Sequence, residues 1–92
     1  MRIRVISPAQ DEIAEIAKRY LAESPSAAVR FFDEFDRLKA LIRSNPGIGR
    51  LTDNGLRRFP FRHFPFDLVY EVRSDEVVIS MVAHHRRNRV TG

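Results

Sequence analysis

A chain of 92 residues, 43% hydrophobic and 30% charged, is expected to form one folded domain over residues 1–92, without a second core or a disordered tail. The lack of cysteine excludes disulfides and thiol chemistry. No stretch nears the roughly 20 apolar residues of a membrane span, nor does the N-terminus read as a signal peptide, so the expected location is the cytoplasm.

The formal charge of +4 is carried mostly by arginine, with only Lys18 and Lys39 as lysines among 16 basic residues. Arginine's planar fork suits bidentate contact with an acidic partner, although a GC-rich genome produces the same bias.

Arg2 to Ile6 alternates polar and apolar, as in a short half-buried strand. Ser7-Pro8-Ala9-Gln10 reads as a helix start, with Ser7 as N-cap and Gln10 closing a capping box. Ile13, Ile16, Ala17, Tyr20 and Leu21 follow at helical spacing. Ser24-Pro25 repeats the start signal, and Ala28, Phe31, Phe32, Phe35, Leu38 and Ile42 mark a second helix that Asn45-Pro46-Gly47 stops. The two helices should form an antiparallel hairpin.

After a loop from Gly47 to Gly55, strands are expected over Leu56–Phe61, Phe66–Arg73 and Val77–Ala83, the last two joined by a turn at Ser74-Asp75. The predicted fold class is α+β, in the order β-α-α-β-β-β, with the helical hairpin on a mainly antiparallel sheet. Alternation places Phe59, Phe61, Leu68, Tyr70, Val72, Val77, Ile79 and Met81 toward the helices. It gathers Arg2, Arg4, Arg58, Arg73 and His84 with Asp67 and Glu71 on the open face, which is either a binding surface or an ordinary solvated one.

Three groups carry candidate chemistry. From Arg57 to Phe66, arginines and aromatics interleave; Arg57, Arg58 and Arg62 suit an anionic partner, while the phenylalanines suit core. The ending His84-His85-Arg86-Arg87-Asn88-Arg89 offers imidazoles beside guanidinium groups, or a solvated basic tail. Adjacent histidines on a strand point apart, so no metal site is expected, and no cofactor is called for. Glu71 and His84, if they share the open face, with an arginine such as Arg86 or Arg58, are the minimum for cleaving RNA through its own 2′-hydroxyl. The candidate partner-binding set is therefore Arg57, Arg58, Arg62, Arg73, His84, His85, Arg86, Arg87 and Arg89.

The whole chain resembles the RelE/ParE superfamily of bacterial toxins. Four segments in order carry the resemblance: Ser7-Pro8-Ala9, Leu41 with Asn45-Pro46-Gly47-Ile48-Gly49, Phe64 to Val72, and Val82 to Asn88. It implies a toxin of a type II toxin–antitoxin pair, bound by a cognate ParD-like antitoxin in a hetero-oligomer. Two activities occur on this fold: ParE-like members bind a protein target, typically DNA gyrase, and RelE-like members cut mRNA on the ribosome. Asp67 stands where nuclease members commonly carry arginine, and no tyrosine follows Tyr70, so the resemblance leans to the ParE branch. The short tail to Gly92 implies either weakened toxicity or a module that has lost its active tail. A RelE-like endoribonuclease and an inactive antitoxin-binding relative stay open as alternatives.

Overall fold

The structure, a computed structural model, describes residues 1–85. Strand β1 (Arg2–Val5) leads into helices α1 (Ser7–Glu23) and α2 (Pro25–Ser44). A 3-10 turn (Pro46–Ile48), β2 (Arg50–Leu51), β3 (Arg57–Pro60), β4 (Phe66–Val72) and β5 (Glu76–His84) follow. The five strands form one sheet in the order β1-β5-β4-β3-β2. β1 runs parallel to β5 and every other pair is antiparallel. The mainly antiparallel sheet predicted from the sequence is present, with β2 as an addition inside the predicted loop.

The two helix starts differ. Ser24 caps α2 as expected, its Oγ accepting from Ala27 N at 3.1 Å. Ser7 does not cap α1: Ile6 holds the cap position without a side-chain bond, and Gln10 Nε2 donates instead to Val5 O at 2.9 Å. Pro8 still fits, because the first turn needs no N–H from it. Ser24→Ala is expected to cost about 1 kcal/mol, measured by urea unfolding, since the Ala27 amide loses its side-chain acceptor and keeps only the longer bond to Ser24 O at 3.2 Å.

The helices cover one sheet face with Ile13, Ile16, Phe31, Phe35, Leu38 and Ile42, which meet Leu68, Tyr70, Val77 and Ile79. Phe31, fully buried, stacks on Phe61 at 5.3 Å and meets Phe64 and Phe66 edge-on. The aromatics of the interleaved segment are therefore core, and their edge-to-face contacts add to the burial. Leu21 and Phe32, read from the sequence as part of the apolar stripes, are 55% and 44% exposed. Each follows a packed residue by one step, a rotation of about 100° that carries it off the buried stripe.

β5 departs from simple alternation. Val69 pairs with Met81 but Tyr70 pairs with Ile79, leaving Ser80 as the extra residue of a bulge. Ser80 Oγ donates to Val69 O at 3.2 Å. A bulge of one residue reverses the facing of everything after it. Val82 consequently enters the core at 8% exposure and Met81 is turned out at 41%, the reverse of the sequence expectation. Val72 follows the alternation but lies at the end of β4 and is 39% exposed.

Candidate functional site

The bulge also separates the two histidines in the opposite sense to that expected. His84 pairs with Phe66, its ring 4.6 Å from the Phe66 ring, and lies on the helix side in a cleft with Glu12, Glu15 and Arg19 of α1. It does not share the open face with Glu71, so the Glu71–His84 pair expected from strand parity is not assembled. His85 takes the place beside Asp67, with Nε2 3.0 Å from Asp67 Oδ1. The nitrogen is enclosed and, despite the short distance, lies off the axis of a hydrogen bond. The His85 backbone N–H donates to Pro65 O at 3.0 Å.

The arginines of the open face are held in ion pairs. Arg58 Nε and a terminal nitrogen both lie 3.0 Å from Asp67 Oδ2. Arg2 pairs with Asp75 at 3.0 Å, Arg4 with Glu76 at 3.3 Å and Arg73 with Glu71 at 3.2 Å. Val69 and Val78 are buried among these long side chains at 4% exposure each. Such packing is the usual use of an arginine stem over apolar surface. The face is thus a mosaic of paired charges around an apolar centre, and Asp67 holds Arg58 in place.

Two other candidates serve different ends. Arg57 donates to Gly49 O at 2.8 Å and Gly47 O at 3.4 Å, clasping the 3-10 turn against the sheet. Its neighbour Tyr70, fully buried, donates to Pro46 O at 2.7 Å and accepts from Gly49 N–H at 2.8 Å. Burial pushes the Tyr70 phenol above its ordinary value, with the Gly49 hydrogen bond and Arg57 opposing less strongly. Arg62 lies in the β3–β4 connection and faces α2. Arg86, Arg87 and Arg89 lie outside the described residues.

Two carboxylates not singled out from the sequence have defined tasks. Glu12 accepts from Val82 N–H at 2.9 Å. That amide lies past the end of β1, whose last bond to β5 is Ile6 N to Ile79 O at 3.1 Å. Glu34, 6% exposed on α2, accepts from the backbone N–H groups of Arg62 and His63 and lies 3.1 Å from His63 Nδ1. The signal available in the sequence was Glu34's place between Phe31 and Leu38, on the apolar stripe.

Among the described residues, no cluster of three or more His, Cys, Asp or Glu is placed to hold a metal ion, and no helix is long and apolar enough to cross a membrane. The family model for the ParE toxin of the type II toxin–antitoxin system parDE matches residues 3–89. Among solved structures, a chain of the chromosomal ParDE toxin–antitoxin system from P. aeruginosa superposes with a TM-score of 0.81 at 19% identity, covering 94% of this chain and 97% of that one. No curated protein shows significant sequence similarity to the chain.

Proposed function

The chain belongs to the ParE toxin family of type II toxin–antitoxin systems, and from that premise we propose that it arrests growth by gripping a protein target, DNA gyrase. A cognate ParD-like antitoxin silences it in a hetero-oligomer in the bacterial cytoplasm. The carrying observation is the ion-paired open face: Arg58 with Asp67, Arg73 with Glu71 and Arg4 with Glu76. The Arg73–Glu71 pair is exposed on both sides and contributes roughly 0–1 kcal/mol, so a protein partner can exchange it for its own carboxylate at little cost. The largely buried Asp67 instead holds Arg58 in a fixed position for that partner. Stabilising a charged phosphorane asks for more, namely a free guanidinium on the same face as an acid–base pair. The predicted set does not meet that demand, since Glu71 and His84 are on opposite faces. Arg58, Arg73 and His85 are the described members of the proposed contact surface, with Arg86, Arg87 and Arg89 continuing it in sequence.

One contact favours a second reading. A carboxylate beside an imidazole, as Asp67 stands to His85, orients a general base once a small ring rotation brings the two into a hydrogen bond, and Arg58 is on the same carboxylate. On this reading the chain is a ribosome-dependent endoribonuclease.

Purified toxin is expected to inhibit gyrase supercoiling in proportion to dose, with activity restored by the protein of the adjacent reading frame. Unimpaired supercoiling at large toxin excess would reject the gyrase target. Primer extension after induction separates the alternatives: discrete cuts within codons, lost in His85→Gln, would establish the nuclease. Normal growth with abundant soluble toxin would establish the inactive relative.

A further inference from the structure

Away from the open face, a groove of about 690 Å³ lies between α2 and the β3–β4 connection. Its helical wall is Arg30, Asp33, Glu34 and Arg37, four residues at the spacing of one helix face. Arg62, His63 and Phe64 form the opposite wall. Phe64 is partly buried, edge-on to Phe31 at 5.3 Å and to Tyr20 at 5.0 Å, so its ring is fixed from behind while it lines the groove.

The charges in the groove are unequal in availability. Three guanidinium groups face two carboxylates, but Glu34 already serves the Arg62 and His63 amides, the His63 ring and, at 3.9 Å, Arg37. Among the described residues Arg30 and Arg62 have no ion-pair partner. Asp33 is the one carboxylate whose charge is unspent, and it lies on the helical wall between Arg30 and Arg37.

We infer that this groove is a docking site for an acidic segment of a partner protein, in which two carboxylates flank an apolar side chain. Arg30 and Arg37 are seven residues apart on α2, a separation of about 10 Å along its axis. Arg37, half-exposed with its Glu34 contact stretched to 3.9 Å, keeps donors for a second carboxylate. A partner helix carrying Glu at positions i and i+7 spans the same length. Asp33 repels a third acid from the middle, where Phe64 favours an apolar side chain at i+3 or i+4. Arg62 closes over the partner from the opposite wall. Glu34 sets this surface by fixing the connection that carries Arg62, His63 and Phe64. The site is separate from the Arg58–Asp67–His85 surface and does not depend on which cellular target the toxin has, so an inactive relative would keep it.

The test uses the full-length chain and a fluorescein-labelled helical peptide with Glu at i and i+7 and Phe at i+4 on an alanine–glutamine background. Saturable binding is expected, with amide shifts at His63 and Phe64 in NMR titration and weakening as salt rises. Arg30→Glu combined with Arg62→Glu should weaken it by about tenfold or more, as should Phe→Ala in the peptide. Arg50→Glu, which makes the same charge change as either single reversal but on β2 outside the groove, should leave affinity within about twofold. If charge reversal unfolds the chain, Arg30→Gln with Arg62→Gln must give the same ordering. The inference is overturned by absent binding, by shifts confined to the open face, by equal losses with Arg50→Glu, or by a single-stranded oligoribonucleotide that binds the groove more tightly than the peptide. A gyrase assay on the same preparations reports separately on the target.

Discussion

Gly49→Ala is expected to lower stability by about 2–3 kcal/mol, enough to depress Tm by roughly 10–20 °C in a domain of this size. The backbone there is extended, with φ −75° and ψ 150°, so the penalty is not one of backbone strain. It arises from close approach: a Cβ on residue 49 would lie 2.6 Å from Tyr70 Oη and 2.9 Å from a ring carbon. The phenol cannot retreat, because it is fully buried and bonded to Pro46 O and Gly49 N–H. Tyr70→Phe alone should cost about 1–3 kcal/mol by leaving those two backbone groups without their partner. The double variant should lose less than the sum, since phenylalanine removes the nearest atom of the clash while the ring carbons stay. Strict additivity in the thermal or urea cycle would mean that the contact is not the cause.

The same phenol fixes a pH limit. Burial raises the Tyr70 pKa above 10.0, so its contribution is whole below pH 10 and is lost as pH rises through the folded value. Stability should therefore fall above pH 10, and less steeply in Tyr70→Phe. Tyr20 is raised by burial in the same direction, so comparison with that variant isolates Tyr70.

These contacts also show which parts of the molecule were readable in advance. Asn45-Pro46-Gly47 announces the end of α2 through the backbone limits of proline and glycine, and Ser24-Pro25 announces its start, because both signals are local. Helix faces and the facing of β4 follow from period and parity. What fails is whatever depends on another strand. The bulge at Ser80 leaves no mark on the run Val77, Ile79, Met81, which alternates smoothly, yet it decides that His85 and not His84 meets Asp67. Arg58 and Asp67 could each be assigned to the open face, but their 3.0 Å pairing requires the β3–β4 register. Arg57, read as a partner contact, is taken by carbonyls of a turn eight to ten residues earlier. An arginine's availability is thus a property of its neighbours in space, and one-dimensional charge patterns overcount it.

Glu34→Ala is the second large effect expected, a loss of about 2–3 kcal/mol in denaturant unfolding with at least tenfold faster hydrogen exchange at the Arg62 and His63 amides. A carboxylate between Phe31 and Leu38 breaks the apolar stripe of α2, and burying it is tolerable only because its oxygens are used. They bond backbone donors at the bend between β3 and β4, where Phe61 N–H to Phe66 O at 2.8 Å and Phe66 N–H to Phe64 O at 2.9 Å tighten the reversal but leave the Arg62 and His63 amides to Glu34. Alanine removes both acceptors and opens space beneath the loop. Glutamine keeps one acceptor oxygen without the charge and should cost about half as much, because bonds to a charged acceptor are the stronger ones. Methionine restores volume but accepts no strong hydrogen bond, so it should fall between alanine and glutamine in stability while exchanging at Arg62 and His63 as fast as alanine. That split between stability and local protection is the diagnostic result. A carboxylate acting only as a space-filling side chain would let methionine recover both, and unchanged exchange in Glu34→Ala would show that the loop holds its shape without it.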